Sequence, residues 1–198
     1  MNKKKTIIAA IVLLLVFLVG GAIAYFTDKT DTVTNTFTVG KVDITLEEPT
    51  WDEKIAADEN YNKKLMPGAE LEKDPTVTVA ADSANAYVFV KVQVPCVGTG
   101  TLRRELFTYE ISDEWSELTG EAQSCEDNAV AIHVYAHNDV MEAEDTSTLF
   151  SAVVLDEDLT QEEAEGLDTI EMPINGYAIQ EANVDGTLAD IWTEHFAS

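Results

Sequence analysis

Short segments with alternating apolar and polar side chains recur along most of the chain, which is the pattern of half-buried β-strands. The clearest is Ala86–Val94, where valines at the even positions form one face and Tyr87 and Phe89 lie on the other. These aromatic side chains predict that both faces of the strand are covered at that end. Pro95 is expected to end the strand because proline has no backbone N–H.

Six further strands are predicted from the same pattern, at 73–80, 106–111, 128–137, 147–155, 169–174 and 177–183. Asn175-Gly176 fits the turn of a hairpin between the last two. No long helix alternates with the strands, which excludes a parallel α/β sheet. The predicted fold class is therefore all-β, an antiparallel β-sandwich.

Helical signals are few and short. Thr160 and Glu163 fit a capping box at the start of a short helix. The tail 188–196 places Leu188, Ile191 and Trp192 on one helical face, as a helix that packs on the domain would. The acidic segment 47–62 is predicted to be a surface loop with room for one helical turn.

The first 24 residues have the pattern of a signal-peptide helix. Three lysines precede an uncharged run from Ile7, and Ala22-Ile23-Ala24 is a small-x-small triplet that suits cleavage between Ala24 and Tyr25. The alternative is a retained membrane anchor, since this run is just long enough to span a bilayer. The predicted organisation is a signal peptide at 1–24, an N-terminal arm at 25–40 and one domain at 41–198. Contact with a membrane is expected only through the uncleaved signal.

The arm has a strand pattern of its own. Val33, Phe37 and Val39 fall on odd positions, whereas Val42, Ile44 and Leu46 fall on even ones. The phase changes at Gly40, where the backbone must bend or bulge, so Gly40 is the predicted hinge between two short strands. The arm could pair with another molecule or form the first strand of its own sandwich, and the pattern alone leaves both open.

The charge balance is strongly acidic. The whole chain has a formal net charge of −25, and the predicted mature chain, without the three lysines of the signal, has −28. Binding to nucleic acid through its phosphates is excluded, because that requires a cationic face. Acidic residues keep a protein soluble, and clustered carboxylates can also bind calcium. No cofactor is expected apart from a loose calcium site, whose candidate ligands are Glu142, Glu144, Asp145, Asp156 and Asp158.

The two cysteines, Cys96 and Cys125, follow and precede predicted strands. In an exported protein they could form a disulfide, and the alternative is two separate buried thiols. Two thiolates are too few for a structural zinc site made of cysteines.

No catalytic motif is present. His133 and His137 have the spacing of a two-histidine zinc motif, but that motif requires a helix and a glutamate, and here the segment is a predicted strand with Val134 in the place of the glutamate. Along a strand the two rings would be about 13 Å apart, too far for one ion. The chain is therefore predicted not to be an enzyme.

Three blocks of sequence resemble the TasA/camelysin family of secreted proteins from Gram-positive bacteria. The first is GG-x-x-AYFTD followed by N-x-FTVG-x-VDI-x-L, the second comprises MPG, KDP and AYVFVKV, and the third is YAIQ. The blocks are spread over most of the chain and keep their order.

This resemblance implies a jelly-roll sandwich with short flanking helices and a signal that is cut by a SipW-type signal peptidase. It also implies biofilm-matrix or cell-surface fibres in which the arm of one copy is donated as a strand to the next copy. The expected anchors of the donated strand are Phe26, Val33, Phe37 and Val39, with Gly40 as the hinge. The expected partner is then the chain itself, and the expected location is outside the cell.

Two alternatives come from other classes of protein. Camelysin is associated with metalloprotease activity, although this chain has no HExxH motif. A surface adhesin or ligand-binding sandwich would have a concave aromatic patch, for which Trp51, Trp115 and Trp192 are the candidates.

Overall fold

The computed structural model describes residues 41–61, 65–126, 128–165, 167 and 170–197. Within these ranges there are eleven β-strands and three α-helices. In chain order they are β1 (Ile44–Glu47), α1 (Pro49–Ala57), β2 (Glu70–Glu72), β3 (Thr76–Val79), β4 (Ala86–Val97), β5 (Arg104–Glu105), β6 (Phe107–Thr108), β7 (Trp115–Glu117), β8 (Val130–His137), β9 (Thr146–Thr148), β10 (Ala152–Leu155), α2 (Gln161–Glu165), β11 (Ile174–Gln180) and α3 (Leu188–His195). Two short 3₁₀ turns lie at Gly100–Leu102 and Thr119–Glu121.

The strands form three antiparallel sheets. The main sheet has the order β11-β4-β8-β7, and β5 pairs with the far end of β4. Two smaller sheets have the orders β1-β3-β9 and β2-β10-β6. The prediction of an all-β, antiparallel fold with few short helices is confirmed, whereas the jelly-roll connectivity stays a prediction.

The core lies between the main sheet and the two smaller sheets. Val88, Val90, Val92 and Val94 of β4 are all fully buried on this side, as the alternation predicts. They belong to one apolar cluster with residues of both smaller sheets, among them Val77 of β3. The even positions of β4 therefore hold the layers together.

The opposite face of the main sheet is covered by α3. Ile191 and Trp192 are buried there against Phe89 of β4, with the rings of Phe89 and Trp192 5.6 Å apart. Thr187 caps the helix, since its hydroxyl accepts a hydrogen bond from the Asp190 backbone N–H. The prediction that this tail packs as a helix, and that both faces of β4 are covered near Phe89, is confirmed.

Pro95 does not end its strand, because β4 continues to Val97. The reason is that Pro95 loses only a donor and its carbonyl still accepts a hydrogen bond from Leu106 N–H at 2.8 Å. The predicted strand at 106–111 is correspondingly replaced by the two-residue strands β5 and β6, which flank Leu106.

The predicted hairpin at Asn175-Gly176 is wrong. Both residues lie inside β11, where Gly176 is paired with Val90 of β4. A Cβ on Gly176 would lie 3.3 Å from Ile44 Cδ1, so the glycine is explained by the close approach of β1 and not by a turn.

Two other segments also differ from expectation. The predicted strand at 147–155 is divided between β9 and β10, which belong to different small sheets, with buried Leu149 at the bend. The predicted loop at 47–62 contains the nine-residue helix α1, which begins at Pro49, a residue that favours the first turn of a helix. Asp74 accepts hydrogen bonds from the Thr50 and Trp51 N–H groups and so completes this first turn.

Candidate functional site

The predicted arm and cleavage point lie outside the described residues. This applies to Ala22, Ala24, Tyr25, Phe26, Val33, Phe37, Val39 and Gly40. Their roles therefore stay predictions.

The part of the chain that the structure describes begins at Lys41, directly after the predicted arm. The Lys41 carbonyl accepts a hydrogen bond from Ala84 N–H, and the Asp43 carbonyl accepts one from Ala80 N–H. Val42, Ile44 and Leu46 are half-buried against the core, whereas Thr45 and Glu47 are exposed. The even phase after Gly40 thus marks a strand, β1, that is paired with β3 inside the domain.

Cys96 and Cys125 are joined by a disulfide, with 5.6 Å between their Cα atoms. Cys125 is buried, and Cys96 lies opposite Glu105 where β4 pairs with β5. The bond therefore ties the loop before β8 to the end of β4.

The first group of calcium candidates forms a tight turn that is held by its own hydrogen bonds. Asp145 Oδ2 accepts a hydrogen bond from Glu142 N–H at 2.7 Å, and the backbone of Glu144 has φ 71°. The turn closes the connection into β9 and gives Asp145 a structural role, whereas the side chains of Glu142 and Glu144 are exposed.

The second group is engaged with Arg104. Asp156 Oδ2 lies 2.6 Å from Arg104 Nε, and Glu163 Oε1 lies 3.1 Å from Arg104 Nη1. The Arg104 guanidinium, with help from Thr160, lowers the pKa of Glu163 to about 2. Asp158 N–H donates to Asp156 Oδ1. In the part of the chain that the structure describes, no three His, Cys, Asp or Glu side chains converge on a point where a metal could bind.

His133 is the centre of a charged cluster that joins three strands. Its Nδ1 lies 2.7 Å from Glu117 Oε1 of β7, and its Nε2 lies 3.0 Å from Glu105 Oε1 of β5. Because both carboxylates are acceptors, only an imidazolium can donate to both at once. The hydrogen bond to Glu105 is the main reason why the pKa of His133 is raised to about 9.

Two tyrosines complete this Glu105–His133–Glu117 cluster. The hydroxyl groups of Tyr109 and Tyr135 are 3.0 Å apart, and the Tyr135 ring stacks on that of His133 with 6.2 Å between centroids. Burial raises the pKa of Tyr135 to about 12 and raises the pKa of Tyr109 further. Both tyrosines therefore stay neutral and act as hydrogen-bonding and packing groups.

The cluster does not have the geometry of a protease site. The two ring nitrogens of His133 point in different directions, and a carboxylate occupies each of them, so the three side chains cannot share one ion. His137 lies on the same strand, as predicted, and its Nδ1 is 2.7 Å from the Asp139 carbonyl oxygen.

The sequence argues against a zinc-ligand role for His133 but does not reveal its two glutamate partners. The available signal was a histidine on the same face of β8 as buried Ala131 and Tyr135, a position that requires polar partners. Those partners come from strands 16 and 28 residues away, and their distance in sequence is what concealed them.

The three tryptophans do not form one aromatic patch. Trp115 and Trp192 are buried in two different apolar clusters. Trp51 is half-buried under Lys73, whose ammonium lies 4.9 Å from its ring centroid. The patch that an adhesin would require is therefore not built from these residues.

A family model described as camelysin metallo-endopeptidase matches residues 1–82. The resemblance to the TasA/camelysin family is confirmed over this segment. No curated protein matched the chain. The matched segment includes the predicted signal, the predicted arm and strands β1 to β3. It ends before Cys96, Cys125 and His133. Among the described helices, none has the length and apolar character needed to cross a bilayer.

Proposed function

We propose that this camelysin-like chain is a secreted structural protein that assembles into extracellular or cell-surface fibres. In this proposal a SipW-type signal peptidase removes residues 1–24, and the freed arm of one copy pairs as a strand with the domain of the next copy. The observation that supports the proposal is the extent of the family match, which covers the residues of the predicted signal, the predicted arm and the strands that follow.

The arrangement of the domain supports this function. Residues Ile44–Glu47 are paired with β3, and Val42, Ile44 and Leu46 pack on the core. The predicted arm directly precedes this segment in the sequence. An extended segment with alternating side chains is what strand addition requires. Cleavage would act as the switch, because an arm that is still joined to the membrane anchor cannot reach a neighbour freely.

Charge would control the assembly. The mature chain, whose formal net charge is −28 without the three lysines of the signal, repels its own copies, and salt or divalent ions screen that repulsion. We therefore expect fibres to form faster as the salt concentration rises, and calcium to act at lower concentrations than sodium whether or not a specific calcium site exists.

The experiment is electron microscopy of the purified mature chain, residues 25–198, beside the shorter chain 41–198 over a range of salt and calcium. Fibres are expected from 25–198 alone. The substitutions Phe37→Asp with Val39→Asp should abolish them and leave the domain folded. The matched control places the same two charges on the other face of the arm, as Thr36→Asp with Thr38→Asp, and should still form fibres at high salt.

If both 25–198 and 41–198 form fibres, the chain polymerises but the arm is not required for polymerisation. Unfolding of the Phe37 and Val39 variant would instead assign these residues to the first strand of the chain's own sandwich. A mature chain that stays monomeric under all conditions would contradict the proposed function.

A second candidate function is proteolysis, which is favoured only by the description of the family model. If the chain were a metalloprotease, cleavage of casein would be lost on chelation and restored by zinc. We expect no such activity, because both ring nitrogens of His133 are engaged by glutamates. Activity that survives His133→Gln but not chelation would point to a metal site elsewhere in the chain.

A further inference from the structure

The sheets have several edges, and most of them carry features that discourage pairing with another molecule. Strand β2 has glutamates at both ends, β7 ends at Glu117 and β1 ends at Glu47. Strands β6 and β9 have only two and three residues. Short length and charge are the usual means by which edge strands avoid unwanted pairing.

Strand β11 lacks these features. It forms the edge of the main sheet, it has seven residues, and its sequence INGYAIQ contains no charged residue and no proline. This is unusual in a chain with 37 acidic residues. None of its residues is fully buried, although its partner β4 has the most buried face of the core.

The hydrogen bonds of β11 show which backbone groups face away from the sheet. Pro173 and Glu181, just beyond its two ends, bond to Gln93 and Asn85. Antiparallel pairing alternates, so the odd residues of β11 are bonded to β4 and the even residues direct their N–H and C=O groups outward. The outward set is Ile174, Gly176, Ala178 and Gln180. Among the described residues, none forms a backbone hydrogen bond with this set.

The surroundings of this edge fit a strand with one apolar face. Ile174 and Ala178 pack towards the core between the sheets, and Ile44 of β1 closes over Gly176 from the neighbouring sheet. Tyr177 and Ile179 pack on the other side, beside α3. β1 lies close to this edge, since a Cβ on Gly176 would be 3.3 Å from Ile44 Cδ1 and 3.7 Å from Leu46 Cβ. An added strand would therefore place alternate side chains beside the apolar side chains of β1.

We propose that the outer edge of β11 accepts residues 31–40 of a second copy of this chain. This inference rests on the proposed function and specifies where the donated strand binds. The segment DTVTNTFTVG has a single charged residue, which matches the uncharged edge. Three of its five odd positions carry Val33, Phe37 and Val39, and its even positions carry threonines and Gly40. Ten extended residues span about 33 Å and the seven of β11 about 23 Å, so the segment can cover the whole edge.

Amide hydrogen exchange tests this in the unmodified mature chain. Fibres are exchanged, dissolved under quench conditions and measured residue by residue by NMR, with the monomer at low salt as reference. The N–H groups of the outward set should exchange roughly tenfold or more slowly in fibres than in the monomer, because each gains a hydrogen bond. Asn175, Tyr177 and Ile179 are already bonded to β4 and should change little.

A proline substitution tests the same edge by blocking it. Ala178→Pro removes one outward N–H and leaves the bonds to β4 intact, and proline is tolerated at such edge positions. The matched control is Thr146→Pro on β9, whose N–H also points away from its partner strand β3. Both variants should fold, as circular dichroism and urea unfolding will show. Only Ala178→Pro should fail to form fibres.

Mixing distinguishes donation between copies from pairing within one copy. Ala178→Pro has an intact arm and a blocked edge, whereas the Phe37→Asp and Val39→Asp chain has a blocked arm and an intact edge. Each alone should be monomeric, and together they should give a one-to-one dimer by light scattering. If Ala178→Pro does not fold, amide exchange in the unmodified chain still shows whether the outward set of β11 gains hydrogen bonds in fibres.

Three results would overturn the inference. Fibres whose β11 amides exchange as in the monomer would place the donated strand elsewhere and leave the fibre function standing. Protection of the outward set already in the monomer would mean that the edge is filled within one copy. A mature chain that never assembles would remove both the proposed function and its acceptor edge.

Discussion

His133 Nδ1 lies 2.7 Å from Glu117 Oε1, and this is one of two contacts between the His133 ring and a carboxylate. The other contact joins His133 Nε2 to Glu105 Oε1. The imidazolium thus connects β8 to β7 and to β5, which belong to different parts of the main sheet. A half-buried cation held by two carboxylates makes stability depend on pH.

The first prediction concerns that dependence. The pKa of His133 is about 9 in the folded chain and about 6.5 when it is unfolded, so its contribution is complete below pH 6.5 and is lost as pH rises through 9. We expect the free energy of unfolding to fall by on the order of 2 kcal/mol across this window. Urea unfolding between pH 6 and pH 10 measures it.

His133→Gln is the control for the pH experiment, because glutamine fills similar space and does not titrate. Its stability should be nearly constant between pH 6.5 and 9. Tyr135, with a pKa of about 12, does not ionise in this window. If the free energy of unfolding falls equally with pH in the variant and in the original chain, a group other than His133 causes the pH dependence.

The second prediction concerns the disulfide. Cys96 and Cys125 are separated by 29 residues, and closing a loop of that length stabilises a protein by about 3–4 kcal/mol. Replacing both by alanine should lower the urea midpoint accordingly. Reductant should destabilise the original chain and leave the double variant unchanged, and a similar response of both would contradict the assignment.

The third prediction concerns the contact between β11 and β1. Gly176→Val places methyl groups against Ile44, and overpacking of this kind costs about 1–3 kcal/mol. In a chain that also carries Ile44→Ala, the same change should cost less, because the nearer of the two opposing side chains is shortened and only Leu46 remains close. Unfolding of the four chains of this double-mutant cycle gives the coupling, and a coupling of zero would contradict the proposed contact.

The fourth prediction concerns the cover of the main sheet. Trp192 is buried against Phe89 and Tyr177, so Trp192→Ala should destabilise the domain by about 3–5 kcal/mol. Trp51→Ala is the comparison, since Trp51 is only half-buried beside Tyr61 and Lys73 and should cost clearly less. Thermal unfolding ranks the two, and a reversed order would mean that α3 is not part of the cooperative domain.

Much of the candidate assembly site could be stated from sequence, because the evidence for it is local. The alternation of Val33, Phe37 and Val39 and the change of phase at Gly40 lie within a few residues of each other. The edge that would accept this strand could not be stated. It depends on which strand lies at the edge of the main sheet. That strand, β11, is split into two by the turn that the sequence predicts at Asn175-Gly176.

Local periodicity is enough to predict the buried faces of some elements and the start of a helix. The valines of β4, the face of α3 and the capping box at Thr160 follow from periodicities of two and 3.6 residues, which are properties of neighbouring residues. Features that depend on distant partners are visible only in the folded chain. Tertiary structure placed Gly176 under Ile44, divided 147–155 between two sheets, and brought Glu105 and Glu117 to His133. Strand pairing joins residues far apart in the chain, and so the pattern along one segment cannot specify its neighbours.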